Sequence, residues 1–99
     1  MSKVAIVTGT STGLGEAIAV MMAEQGIKTY ATMRNLAKAS DKLKNLEVAG
    51  KVKILALDVQ NTESVESAVA QVIAAEGKVD ILVNNAGAGY VRTYHRAID

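Results

Sequence analysis

Three glycines between residues 9 and 15 are the feature of this chain best suited to chemistry, and the chemistry is the holding of an anion. The segment reads Thr8-Gly9-Thr10-Ser11-Thr12-Gly13-Leu14-Gly15, directly after the apolar run Val4-Ala5-Ile6-Val7, and a helical pattern begins at Leu14. At such a strand-to-helix corner each glycine has a separate physical job. Gly9 lets the chain leave the strand in a tight turn. Gly13 removes a Cβ so that backbone amides approach a diphosphate, and Gly15 lets the start of the helix pack closely on the strand. The free N–H groups and partial positive charge of the helix N-terminus then face the anion. The spacing lacks the lysine of a nucleoside-triphosphatase loop, with Leu14 where that motif has its second glycine. It also departs from the common dinucleotide fingerprint, whose third glycine would fall at Ile18. The plainer alternative is a glycine-rich turn that holds nothing.

Other candidates are fewer. His95 titrates in the right range for a general base, but no Ser or Cys stands beside it, and it is expected to be a surface histidine. With no cysteine and one histidine, disulfide scaffolds and Cys/His zinc sites are excluded, and no metal ligand set is expected. Glu63 and Glu66 read as helix-start charge, not as a catalytic carboxylate pair.

The elements that must position these residues alternate. Strands are predicted at Val4–Val7, Lys28–Met33, Val52–Leu57 and Asp80–Val83, starting 24 to 28 residues apart, close to the length of a strand-helix-strand unit. The first helix places Leu14, Ile18, Met21 and Met22 on one face and ends at Gly26. The second runs through Leu36, Ala39, Leu43 and Leu46 to Gly50, with Lys38, Asp41, Lys42 and Lys44 on the wet side. The third is capped by Thr62, buries Val65, Val69, Val72 and Ile73, and stops at Gly77. This pattern predicts an α/β fold, a doubly wound parallel sheet with helices on both faces and right-handed crossovers.

Composition narrows the rest. Ninety-nine residues that are 49% hydrophobic build one core and no second domain. A net charge of +1, with Lys and Arg dispersed, gives no nucleic-acid patch. The apolar run after Met1-Ser2-Lys3 is too short for a signal peptide or a membrane span, and a soluble, cytoplasmic chain is expected.

Thr8-Gly9-x-x-x-Gly13-x-Gly15 after the first strand, with Asn84-Asn85-Ala86-Gly87 after the fourth, resembles the short-chain dehydrogenase/reductase family over Lys3 to about Gly89. Asp58-Val59 after the third strand is a further match, and Ala31 to Leu36 is similar to the hydroxysteroid and retinol dehydrogenase branch. The resemblance implies a Rossmann-type sheet of order 3-2-1-4, here with four strands and three helices. It implies that Gly9, Ser11, Thr12, Gly13 and Leu14 line the adenosine and pyrophosphate of a nicotinamide dinucleotide. Asp58 and Val59 would hold the adenine edge, and Asn85, Ala86 and Gly87 would pass beneath the ribose and nicotinamide. The asparagine pair would also tie the central strands together. An NAD site needs an acid at the end of the second strand for the ribose 2′-hydroxyl. Thr32-Met33-Arg34 has none there. The guanidinium of Arg34 suits a 2′-phosphate instead, aided by the Ser11 or Thr12 hydroxyl, so NADP is expected over NAD. Lys38 is a weaker candidate for that contact.

The family's activity is hydride transfer between the nicotinamide and an alcohol or carbonyl carbon of a small molecule. The resemblance implies a catalytic tyrosine with a lysine four residues later. Here Tyr30 is followed at that spacing by Arg34, Tyr90 by Tyr94 and Tyr94 by Ile98, so no residue is assigned a catalytic role. The chain is therefore expected to be the N-terminal, cofactor-binding part of one such domain, without its catalytic and substrate-binding part. Its fourth strand is expected to be left as an open apolar edge, which suggests a truncated product. Three readings follow: an oxidoreductase by descent, inactive as these residues alone; a non-catalytic dinucleotide-binding module; or an inert truncated product. Oligomeric surfaces are not legible.

Overall fold

The structure, a computed structural model, describes residues 2–85 and the short strand 96–97. Its elements in chain order are β1 (Val4–Val7), α1 (Gly13–Glu24), β2 (Lys28–Met33), a single 3₁₀ turn (Leu36–Lys38), α2 (Asp41–Val48), β3 (Val52–Ala56), α3 (Thr62–Glu76), β4 (Lys78–Val79), β5 (Ile81–Val83) and β6 (Arg96–Ala97). The main sheet is parallel, in the order β3-β2-β1-β5. This is the order expected from the sequence, with β5 as the fourth strand of the sheet.

All four residues of β1 are buried, because successive side chains enter opposite faces and both faces are covered. Ala5 and Val7 join Ala19, Met22 and Leu43 of α1 and α2 in one core; Val4 and Ile6 join Ala68 and Val72 of α3 in the other. Burying an Ile or Val side chain of this kind contributes about 1.5–3 kcal/mol, so β1 is the axis on which both layers are built.

Several local expectations change. Leu14 and Met21 are exposed; α1 meets the sheet through Gly15, Ala19, Val20 and Met22, with Ile18 packed beside them. The predicted helix through Leu36 and Leu46 is interrupted. Asn35 accepts from the Ala37 amide and Ser40 from the Leu43 amide, so two side-chain caps split the periodic run into a turn and a helix. The cap of α3 is Asn61, whose Oδ1 accepts from the Ser64 amide at 3.1 Å, and Thr62 is the first helical residue. Ala68 and Val72 are its fully buried residues, with Val65, Val69 and Ile73 packed alongside. Gly77 ends α3 in the left-handed region, at φ 83°.

The fourth strand is shorter than expected. Asp80 leaves the ladder's regular pattern: its amide donates to the Val4 carbonyl, and its carboxylate accepts from the Val4 amide at 2.8 Å. Before it, β4 pairs antiparallel with β6, a contact the sequence does not announce. At the opposite side β3 has only β2 as a described neighbour, and the outward Ile54 amide donates to the Glu47 carboxylate at 2.8 Å.

Candidate functional site

A cleft of about 490 Å³ opens beyond the C-terminal ends of the parallel strands, where open α/β sheets bind ligands. The loop after β1 contributes Gly9, Ser11, Thr12 and Leu14 to its walls, and the end of β2 contributes Met33 and Arg34. Leu57, Asp58, Val59 and Gln60 line it from the loop after β3, and Asn85 from the loop after β5. Four segments far apart in sequence thus converge because parallel strands all point the same way.

The three glycines divide by cause. Gly9 turns the chain at φ 67°. Gly15 is buried, and a Cβ there would collide with the Gly9 carbonyl and crowd the Asn85 side-chain nitrogen. Gly13 is different: among the described residues a Cβ there would meet no atom of another segment within 4 Å, and its backbone is not left-handed. Neither packing nor conformation asks for glycine at position 13.

The start of α1 is also unlike the other two helices. Thr12 makes no side-chain cap, whereas Ser40 and Asn61 cap α2 and α3. The Thr12 hydroxyl instead donates to the Gly9 carbonyl at 2.9 Å. Consequently the amides of Gly13, Leu14 and Gly15 have no partner among the described residues. A helix start left in this state presents N–H donors and partial positive charge to the cleft.

The floor is held by threonines. Thr8 donates its amide to the Val83 carbonyl at 3.0 Å, and its hydroxyl accepts from the Asn85 amide at 2.9 Å. The Asn85 side chain reaches the Gly9 carbonyl at 3.5 Å. Thr10 ties the glycine loop to β2, its amide and hydroxyl both donating to the Thr32 carbonyl. On the far wall Asp58 accepts from the Gln60 amide at Oδ1, and its own amide donates to Ser64 Oγ. Leu14 and Val59 are exposed apolar side chains on two walls of the cleft, and Arg34 is exposed and in no described ion pair.

Of the residues singled out in the sequence, Gly9, Ser11, Thr12, Leu14, Arg34, Asp58, Val59 and Asn85 share this cleft. Gly13 lies at its helix start and Gly15 is packed behind it. Ala86 and Gly87 lie outside the described residues, as do Tyr90, Tyr94 and His95. Lys38 is exposed but does not line the cleft. The Thr12 hydroxyl has its proton committed to Gly9, which leaves Ser11 as the better hydroxyl donor. Met33, Leu57 and Gln60 were missed by sequence reading, as were the buried Thr10 and Thr32; apolar strand ends and lone threonines carry no spacing signal.

Tyr30 belongs elsewhere. It is buried on β2, and its hydroxyl donates to Glu76 at 2.6 Å, with Lys28 at 3.4 Å from the same carboxylate. Burial, followed by the Glu76 charge and hydrogen bond, pushes the phenol far above its usual range. A proton-transfer tyrosine needs the opposite shift.

The family model for "short chain dehydrogenase" matches residues 3–98. The chain belongs to the short-chain dehydrogenase/reductase family. It is 41% identical over 87 residues to the 3-ketodihydrosphingosine reductase of Bacteroides thetaiotaomicron, covering 88% of this chain and 29% of that protein. With the mouse 17-beta-hydroxysteroid dehydrogenase type 1 it shares 45% identity over 96 residues, covering 87% and 26% of the two chains. A metagenomic short-chain oxidoreductase solved in complex with NADP superposes with a TM-score of 0.77 at 34% identity, over 87% of this chain and 39% of that one. The chain thus spans about a third of the length of the short-chain dehydrogenases it matches. Among the described residues no helix is long and apolar enough to cross a membrane, and no group of three or more acidic, His or Cys side chains could hold a metal ion.

Proposed function

We propose that residues 1–99 are the dinucleotide-holding part of an NADP-dependent short-chain oxidoreductase. The observation that carries this reading is the corner at Gly13. Its missing Cβ opens space that no described residue fills, beside helix amides that no described residue partners. A diphosphate fits both features.

In this reading the amides of Gly13 and Leu14 hold the pyrophosphate, while Gly9 shapes the turn and Gly15 keeps the loop close to α1. Leu14 and Val59 offer apolar surface to the adenine, and Asp58 retains Oδ2 to accept from its amino group. Arg34 and Ser11 take the 2′-phosphate. Asn85, with Ala86 and Gly87, carries the ribose and nicotinamide. When bound, the nicotinamide supplies or accepts a hydride. The reaction partner is an alcohol or carbonyl carbon, consistent with the reductase and hydroxysteroid dehydrogenase names of the relatives.

No tyrosine among these residues has a lysine four positions on, so residues 1–99 by themselves are expected to bind and not to turn over. A binding module without chemistry of its own is the second reading. Titration of the purified chain with NADPH, followed by nucleotide fluorescence, tests the common part: saturable binding supports it, and a folded sample that binds neither NADPH nor NADH refutes it. Reading the gene past Asp99 and, where the frame continues, assaying the longer chain for alcohol oxidation separates the two readings.

A further inference from the structure

We propose that Thr10 is a positioning residue that sets the preference for a 2′-phosphorylated dinucleotide by fixing the glycine loop against the strand carrying Arg34. The inference rests on the dinucleotide reading above. Thr10 lies between Gly9 and Ser11, which line the cleft, yet it is 0% exposed and so cannot touch a ligand. Its amide and its hydroxyl both donate to the Thr32 carbonyl, at 3.1 and 2.9 Å. Thr32, also 0% exposed, passes the connection on: its own hydroxyl donates to the Val7 carbonyl at 2.9 Å. The result is a ladder of two buried hydroxyls running from loop to β2 to β1, and Arg34 leaves β2 only two residues after Thr32. The other side-chain bonds of the loop lead elsewhere. Thr12 closes on Gly9 within the loop, and Asn85 joins Gly9 to the segment after β5. Among the described residues, Thr10 is the loop's side-chain tie to β2.

That tie matters to one class of ligand. NADPH offers two anionic groups at a separation set by its own covalent frame, one for the Gly13 amides and one for Arg34. Both can be engaged at full strength only if protein groups are held at the matching distance, since any looseness between them is an ordering cost at binding. NADH offers only the diphosphate, and is indifferent to where Arg34 stands relative to the loop. Loosening the ladder therefore weakens NADPH alone.

Replacing Thr10 by Val keeps the branched shape and removes the hydroxyl, and the Thr32 carbonyl keeps the Thr10 amide as its donor. The 99-residue chain carrying Thr10→Val should bind NADPH roughly fivefold more weakly, the size of one lost hydrogen bond, with NADH affinity unchanged. Thr10→Ser, which restores the hydroxyl, should recover the NADPH affinity. Thr32→Val breaks the next rung and should shift the NADPH/NADH ratio the same way, and it serves if Thr10→Val loses its cooperative thermal transition. Parallel weakening of both nucleotides, or no weakening of either, overturns the positioning role while leaving the dinucleotide reading intact. An unmodified chain that binds neither nucleotide overturns both.

Discussion

Gly15 faces the carbonyl of Gly9 so closely that no side chain fits between them, and the Asn85 amide closes the remaining gap. The contact joins the start of α1, the turn after β1 and the loop after β5 in one knot of backbone. Gly15→Ala should therefore destabilise the fold by about 3 kcal/mol, the upper end of what overpacking costs, because what the methyl meets is main chain. Gly13→Ala should do the reverse. With open space around it, the substitution should leave stability unchanged or raise it by about 0.5–1 kcal/mol through helix propensity. Its NADPH affinity should nevertheless fall about tenfold, the loss of ~1.4 kcal/mol. Chemical denaturation and nucleotide titration of both variants check the contrast, and a Gly13→Ala protein that binds as well as its parent would sink the diphosphate assignment.

Arg34 is exposed at the end of β2 and engaged in no described ion pair. A charge-assisted bond to a phosphate is worth about 1.5–3 kcal/mol. Arg34→Ala should cost NADPH binding by roughly ten- to hundredfold on that scale and NADH far less. Equal losses in paired titrations would show that the guanidinium does not meet a 2′-phosphate.

The Tyr30–Glu76 bond predicts a window of stability in pH. The Tyr30 hydroxyl, and secondarily Lys28, hold the Glu76 carboxyl below its usual range. The stability that Glu76 contributes is thus present above the ordinary carboxylate pKa and is lost as pH falls through its lowered folded value. Tyr30 is raised, so its contribution is full below the ordinary phenol value of 10.0 and is lost as pH climbs beyond it. Tyr30→Phe should lower stability at neutral pH by about 1–3 kcal/mol. It should also flatten the pH dependence at both extremes. Denaturation curves at acid, neutral and alkaline pH measure this, and a variant whose profile parallels the parent's would refute the coupling.

Asn61 and Thr62 are both good capping residues, and the structure chooses Asn61. Asn61→Ala should cost about 1 kcal/mol, and Thr62→Ala much less. The reverse ranking in thermal melts would restore Thr62 as the cap.

The architecture was legible because its signals are periodic: four apolar runs at near-even intervals, with a helical stripe between each and the next, leave few topologies open. The cleft was legible where it needed glycine. Elsewhere, local hydrogen bonds outweighed periodicity. Leu36, Ala39, Leu43 and Leu46 have helical spacing, yet the Asn35 and Ser40 side chains each satisfy a backbone amide and divide the segment. Leu14 fits an apolar stripe but stands exposed at the cleft, since the helix turns Gly15, Ala19, Val20 and Met22 to the sheet. Thr10 and Thr32 were invisible because a hydroxyl bonded to a distant carbonyl leaves no pattern along the chain.

Glu47 has a consequence for the company this molecule keeps. An outermost strand whose amides point into water invites another polypeptide to dock alongside and lengthen the sheet. At the middle of β3 that invitation is withdrawn, because the N–H of Ile54 is already occupied by a carboxylate from the same chain. A would-be neighbour must displace that oxygen and bring its own backbone up against a negative charge. One exposed carboxylate thus guards the centre of that rim against lateral pairing.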